Sequence, residues 1–239
     1  QELCIATENN PNTQLAYLYE RQDHKDIGKT IYGLQLQSEI NTLFKESDVI
    51  VDFTTIEGTM QLLSMNEEYK KPLVIGTTGL NETQISQIKN LSQNYPIVFS
   101  PNYSIGVNLL FKIIQEAGRV LSKEKDYDLE IIESHHRFKI DSPSGTALKL
   151  AEIAAKATGR NLKENGVYGR EGNVGPRASD EVGVFAIRAG DIIGEHTLMF
   201  STLGERVEIT HKAHTRQTFA KGAIEAANWI TSKDIGLYD

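Results

Sequence analysis

Two histidines, an arginine and a lysine fall within five residues, from His135 to Lys139, in the stretch Glu133-Ser-His-His-Arg-Phe-Lys-Ile-Asp-Ser-Pro-Ser-Gly-Thr-Ala147. Imidazole exchanges protons near neutral pH because its unperturbed pKa is about 6.5, and a lysine ammonium is a point charge that a carboxylate can meet. Ser142-Pro-Ser-Gly-Thr146 then reads as a turn feeding a helix start. Ser144 stands at the N-cap, and Ala147-Leu-Lys-Leu-Ala-Glu-Ile-Ala-Ala-Lys156 is a good helix former that stops near Gly159. A helix N-terminus offers backbone N–H groups and the positive end of a dipole, so it can hold a carboxylate or a phosphate. Cations just upstream of such an end make a pocket for a small anionic substrate. A solvated basic loop before an ordinary capped helix is the alternative that the residues alone leave open.

The first hundred residues supply alternating elements. Gln1 to Ala6 reads as the tail of a helix and Leu15-Ala-Tyr-Leu-Tyr19 as a strand. Ser47 to Thr54, Lys71 to Gly76 and Pro96 to Ser100 are further strands, with continuous apolar runs of the kind buried in parallel sheets. Helices are expected from Glu57 to about Tyr69 and from Asn81 to Asn94, where Asn81 and Gln84 have capping-box spacing. This rhythm predicts a doubly wound parallel sheet, whose ligands bind beyond the carboxyl ends of the strands.

Four short motifs occupy those ends. Glu20 can accept hydrogen bonds from ribose hydroxyls and Arg21 can pair with a 2′-phosphate, which suits both NADH and NADPH; a surface charge pair is the alternative. Gly76-Thr77-Thr78-Gly79 can bring backbone close to a nicotinamide ribose, or simply turn. Asp52-Phe-Thr54 and Ser100-Pro101-Asn102-Tyr103 hold the equivalent places.

Beyond residue 105 the pattern changes. Val107 to about Ser122 carries a broad apolar helical face, and Asp128 to Ser134 is a strand leading into the histidine stretch. Asn161 to Glu181, rich in Gly, Arg and Asn, reads as a long loop of lid or binding type, or as a disordered excursion. Val182 to Arg188, His196 to Thr202 and Arg206 to Ala213 are strands without intervening helices, hence expected to pair antiparallel. Thr215 to Lys233 is a helix returning to the first part, with Trp229 in the core. The expected domains are 1–104, joined by 216–239, and an α+β domain over 105–215 with an open mixed sheet.

Composition narrows the classes. A chain of 239 residues, 39% hydrophobic and 24% charged, describes a globular protein, and the net charge of −7 gives nucleic-acid binding no electrostatic support. No apolar run approaches the ~20 residues of a membrane span, and no charged-then-apolar leader opens the residues given. The single cysteine, Cys4, cannot form an internal disulfide, which suits a reducing cytoplasm, and no spaced ligand set predicts a metal.

The stretch from Glu133 to Ala147 closely resembles the signature of the dihydrodipicolinate reductase family, also called 4-hydroxy-tetrahydrodipicolinate reductase, and the strand-end motifs extend the resemblance over nearly the whole chain. The resemblance implies NAD(P)H-dependent reduction of a cyclic imine dicarboxylate derived from 4-hydroxy-tetrahydrodipicolinate, in lysine and diaminopimelate biosynthesis. By motif position it implies His135 and Lys139 as acid/base residues. Lys139 is favoured as proton donor and His135 as its assistant, with His136, Lys139, Gly145 and Thr146 seating the carboxylates. It places the cofactor on Glu20, Arg21, Gly76, Thr77, Thr78, Ser100, Pro101, Asn102 and Tyr103. It also implies a homotetramer built through the second domain's sheet. A different two-domain reductase of a small acid, or a nucleotide-binding module without catalysis, are the competing classes. The family carries a glycine-rich turn just ahead of the position of Gln1, so the expectation is that the protein has roughly 10–20 further residues there, forming a central strand and that turn.

Overall fold

The computed structural model describes residues 1–123 and 127–239. In chain order the elements begin with α1 (Glu2–Glu8), β1 (Leu18–Tyr19), β2 (Thr30–Ile31), β3 (Leu34–Gln37), α2 (Ile40–Glu46), β4 (Ile50–Asp52) and α3 (Ile56–Tyr69). They continue with β5 (Leu73–Ile75), α4 (Glu82–Leu91), β6 (Ile97–Phe99), α5 (Ile105–Leu121), β7 (Asp128–His135), α6 (Gly145–Ala157) and α7 (Leu162–Asn165). Then come β8 (Gly166–Val167), β9 (Val182–Arg188), β10 (Gly194–Thr202), β11 (Glu205–Ala213), α8 (Gln217–Ile230) and β12 (Leu237–Tyr238). One compact unit is Gln1–Ser104 with Gln217–Asp239, and the other is Ile105–Arg216.

In the first unit β12, β6, β5 and β4 form a parallel sheet in that order. All three residues of β5 are buried because both faces of the sheet are covered. Leu73 and Ile75 meet Leu62 and Leu63 of α3 and Ile88 of α4, while Val74 meets Ala223, Ala227 and Ile230 of α8. Each such burial is worth about 1.5–3 kcal/mol, so the doubly wound arrangement follows from apolar residues pointing to both sides. The capping box at α4 is present: Asn81 accepts from the Gln84 N–H at 3.0 Å, and Gln84 accepts from the Asn81 N–H at 2.9 Å.

Two expectations are corrected here. β1 does not join the parallel sheet but pairs with β3, in a separate sheet of order β1-β3-β2 that the residues between 24 and 46 supply unannounced. β1 and β4 instead both line a cavity of about 1530 Å³, together with Leu3 and Cys4 of α1 and Ala227 of α8. Trp229 is 44% exposed rather than in the core, with Tyr238 edge-on to its ring and Lys233 Nζ 4.7 Å from its centroid.

In the second unit the sheet order is β11-β10-β7-β9-β8. The antiparallel pairing expected among β9, β10 and β11 holds for β10 and β11 only; β7 lies between β10 and β9, antiparallel to β10 and parallel to β9. The chain from β7 to β9 runs through α6, which is what a parallel return requires. Leu129 and Ile131 of β7, Val182 and Val184 of β9 and Leu198 and Phe200 of β10 form one apolar face, covered by α5 and the alanine-rich side of α6. The segment read as a long loop contains α7 and β8. Its remainder is tied to the opposite face of β7: Arg170 bonds Glu130 and Glu181, and Arg177 bonds Asp128 at 2.5 Å and Glu130 at 3.1 Å.

Candidate active site

Alternation along β7 places Leu129, Ile131, Glu133 and His135 on one face, so a carboxylate takes the next place along a row of core residues. Glu133 is fully buried. Register decides its neighbours: His196 of β10 lies directly across from Glu133, and Arg188 of β9 pairs with His135. Glu133 Oε1 accepts from Arg188 Nη2 at 2.7 Å and from the Ser144 N–H at 2.9 Å. Its Oε2 accepts from Arg188 Nη1 at 2.8 Å and stands 2.6 Å from His135 Nδ1. The roughly four acceptor positions of a carboxylate are thereby filled. Burial raises the Glu133 carboxyl, but the hydrogen bonds from His135, Arg188 and Ser144 outweigh it and hold the group at about 2. An ionised carboxylate only accepts, so His135 Nδ1 carries a proton and Nε2 is left for other work. That nitrogen lies over Gly194, where an added Cβ would come within 3.1 Å of it.

His196 is buried, and loss of hydration pushes its pKa down to about 3, so it is neutral near pH 7. Its Nε2 shares a 3.2 Å hydrogen bond with Ser144 Oγ, which also accepts from the Ala147 N–H as the N-cap of α6. Ser144 therefore joins the strand carboxylate, the β10 histidine and the helix start. Gly145 and Thr146 form the first residues of α6, and nothing stands within 4 Å of where a Gly145 Cβ would be. The Lys139 ammonium pairs with Asp141 at 2.7 Å, and that contact overcomes burial to lower the Asp141 carboxyl. Arg188 Nη2 also donates to the Asp141 carbonyl at 2.7 Å. His136 closes the turn by accepting the Lys139 N–H through its carbonyl at 3.1 Å, and its Nδ1 is buried. Phe138 and Ile140 point outward on either side of Lys139, at 80% and 99% exposure.

The first unit presents a second constellation. Asp52 at the end of β4 accepts from the Thr54 N–H at 2.9 Å, from Thr54 Oγ1 at 2.6 Å and from Thr59 Oγ1 at 2.6 Å. Thr59 Oγ1 in turn lies 2.7 Å from Thr77 Oγ1, so the loop after β5 is fastened to the end of β4 and the start of α3. Gly76 packs on the Phe53 ring, where a Cβ would approach to 2.3 Å. Asp52, Gly76 and Ser100 end three adjacent strands, as expected, but Glu20 and Arg21 follow β1 in the other sheet. Arg21 is exposed and pairs with Asp23 at 3.1 Å, while Glu20 accepts from the Arg21 N–H at 2.9 Å. Pro101 and Thr78 are exposed and Asn102 is half-buried. Ser100 is buried and donates to the Asn102 carbonyl at 3.2 Å. Tyr103 differs from the expectation of an open binding side chain. It is buried, its hydroxyl lies 2.8 Å from the Ile75 carbonyl and 3.2 Å from that of Val98, and burial raises its pKa.

Glu133, Ser144, Arg188 and His196 were not singled out from the sequence as site residues. A charged residue in the apolar register of a strand was the available signal for Glu133. No comparable signal exists for Arg188 or His196, whose parts depend on strand register.

The chain matches the family description "Dihydrodipicolinate reductase, N-terminus" over residues 1–103 and "Dihydrodipicolinate reductase, C-terminus" over residues 106–239. It is 45% identical over 240 residues to the 4-hydroxy-tetrahydrodipicolinate reductase of Syntrophus aciditrophicus, covering 97% of this chain and 89% of that protein. It is 51% identical over 207 residues to the protein of the same name from Hahella chejuensis, covering 87% and 77%. Among solved structures, the dipicolinate-bound dihydrodipicolinate reductase from Paenisporosarcina sp. TG-14 superposes with a TM-score of 0.77 at 25% identity, covering 99% of this chain and 91% of that one.

Proposed function

The chain belongs to the dihydrodipicolinate reductase family, and on that premise we propose how it carries out the 4-hydroxy-tetrahydrodipicolinate reductase reaction of lysine and diaminopimelate biosynthesis. It is an oxidoreductase that uses a nicotinamide cofactor. The observation that carries the residue assignment is the connected network around Glu133. It ties His135, the start of α6 and, through Arg188 and Asp141, the Lys139 loop into one rigid set.

The reaction needs a hydride, a seat for two carboxylates and a proton. The cofactor supplies the hydride. The strand ends of the first unit fit such a group: Asp52 holds the Thr54 loop through its hydrogen bonds, and Gly76 leaves no side chain above the Phe53 ring. Glu20 and Arg21 are assigned to the adenosine ribose, and Gly76, Thr77, Thr78, Ser100, Pro101 and Asn102 to the nicotinamide end. Both NADH and NADPH are accepted, since an acidic residue and an arginine stand together. Tyr103 contributes by holding the loop from below.

The family member solved with dipicolinate bound supports a small dicarboxylate as the ligand. The ammonium of Lys139, the His136 ring and the N–H groups at Gly145 and Thr146 seat its carboxylates, a point charge at one end and directed donors at the other. The Asp141 carboxylate beside Lys139 marks the ammonium as a carboxylate partner. Lys139 delivers the proton, and His135, with Nε2 facing away from Glu133, assists or orients it. We further assign the protein to the cytoplasm and to a homotetramer; the outward face of the edge strand β11 is the surface on which a second copy pairs. No helix among the described residues is long and apolar enough to cross a membrane.

The direct test is NADH oxidation on mixing the protein with freshly generated condensation product of pyruvate and aspartate semialdehyde. Rapid, stoichiometric loss of NADH is expected. Cofactor binding without turnover would instead assign a different small-acid reductase or a non-catalytic module.

A further inference from the structure

We propose that Arg188 is a positioning residue that sets both the working nitrogen of His135 and the place of the Lys139 loop. The inference rests on the assignment of proton handling to those two residues. One guanidinium makes both ties: Nη1 and Nη2 grip the two oxygens of Glu133 at 2.8 and 2.7 Å, and Nη2 also donates to the Asp141 carbonyl at 2.7 Å. The planar fork suits this, because only arginine offers parallel donors to a carboxylate with a further N–H left over.

The first tie acts on His135. With Glu133 gripped by Arg188 and accepting the Ser144 N–H, its Oε2 is aimed at His135 Nδ1 2.6 Å away. The imidazole must then present a protonated Nδ1 to the carboxylate, which reserves Nε2 for exchange with the reacting system. The opposite tautomer would set a lone pair against an anion. The second tie acts on Lys139. Asp141 is the carboxylate that the ammonium touches, and its own carbonyl is fixed to β9 through Arg188, so the loop bearing Lys139 cannot drift from the strand bearing His135. Parallel pairing of β7 with β9 makes this possible, since it puts Arg188 beside His135 on the same side of the sheet.

Two variants test the inference. Arg188→Lys keeps the charge but cannot span both carboxylate oxygens and the Asp141 carbonyl. The expected result is faster hydrogen exchange confined to residues 136–143 and a fall in kcat of about 10²-fold, the cost of misplacing a reacting group by roughly 1 Å. NADH affinity, read by direct titration, should not move. A folded Arg188→Lys protein in which either the loop exchange or kcat is unchanged would overturn the proposal. Glu133→Gln keeps the side-chain volume and serves if the lysine variant does not fold. Its amide can face His135 with either its oxygen or its NH2, so ¹⁵N spectra should show His135 passing from one tautomer to a mixture. Retention of the Nδ1–H tautomer alone sinks the idea. Exchange and tautomer are read without turnover, whereas near-normal kcat in His135→Gln would remove the proton-handling assignment itself, so the two failures are separable.

Discussion

Charged groups withdrawn from water hold the candidate site of the second unit, whereas at the strand ends of the first unit hydroxyls around a single carboxylate do the holding. Glu133 is buried against the Arg188 guanidinium and the His135 ring. Asp52 is also buried, yet its partners are Thr54 and Thr59, and among the described residues no cation pairs with it. The difference matches the tasks assigned to the two regions. A group that handles protons needs a defined protonation state, which a nearby full charge imposes over several pKa units. A loop that offers backbone to a cofactor needs only a fixed shape, and hydroxyl bonds supply that without placing a strong field beside the ligand. Removing one partner of a buried ion pair leaves an uncompensated charge, while losing one hydroxyl leaves an unmet hydrogen bond, so the second unit should respond more steeply to substitution.

The largest expected effect sharpens that contrast on the catalytic side. Lys139→Gln removes the proposed carboxylate partner and the proposed proton source together, and kcat should drop by more than ~10²-fold with NADH affinity unchanged. Steady-state rates and a fluorescence titration of NADH check both halves, and near-normal kcat would take Lys139 out of the mechanism.

The next concerns pH. His196 is held neutral in the folded protein, with a pKa depressed to about 3 from an ordinary value of 6.5. Below pH 6.5 the unfolded chain therefore binds a proton that the folded one refuses, so stability is full above that pH and declines as pH falls toward 3. The slope from this one group is about 1.4 kcal/mol per pH unit. Glu133 acts lower: its contribution is present above its ordinary 4.5 and is lost as pH falls toward about 2. Urea titrations between pH 6.5 and 4.5 thus read the histidines that burial lowers, His196 and His211, and His196→Gln should lessen the decline there. A parent and variant with the same slope would show that His196 titrates normally.

Two smaller effects test the first unit. Thr59→Val leaves Asp52 short of a donor and frees Thr77, which should cost about 1–3 kcal/mol of stability and weaken NADH binding while leaving kcat at saturating NADH unchanged. If stability falls but NADH affinity does not, the hydroxyl chain supports only the fold. Arg21→Ala should weaken NADPH by about tenfold, roughly 1.4 kcal/mol, and NADH hardly at all. Because Arg21 is exposed, the discrimination should shrink as salt is raised. Equal losses for both cofactors would show that the arginine does not read a phosphate.

The amino-acid sequence by itself determined the doubly wound sheet, because runs such as Leu73-Val-Ile75 are apolar on both faces and satisfy themselves only between two layers of helix. It also determined the start of α6, since a Ser144 cap followed by an alanine-rich run is a local matter of hydrogen bonds and propensity. The run from His135 to Lys139 was legible as a cation-rich pocket from residue type and spacing, and the resemblance to the reductase family singled out His135 and Lys139 within it. The short strands around residues 30–37 were missed: Leu34-Gln-Leu-Gln37 does alternate, but a run of four residues beside a strand of only two is too short to stand out from a loop. Only the tertiary structure decided that β9 returns parallel to β7, and with that choice Arg188 came to lie beside His135, 53 positions away in sequence. Antiparallel neighbours would have predicted other partners for Glu133. Pairing across a sheet is settled by the total burial that each arrangement permits, a sum over residues distant in the chain, and a one-residue change of register would turn Glu133 out of the site altogether.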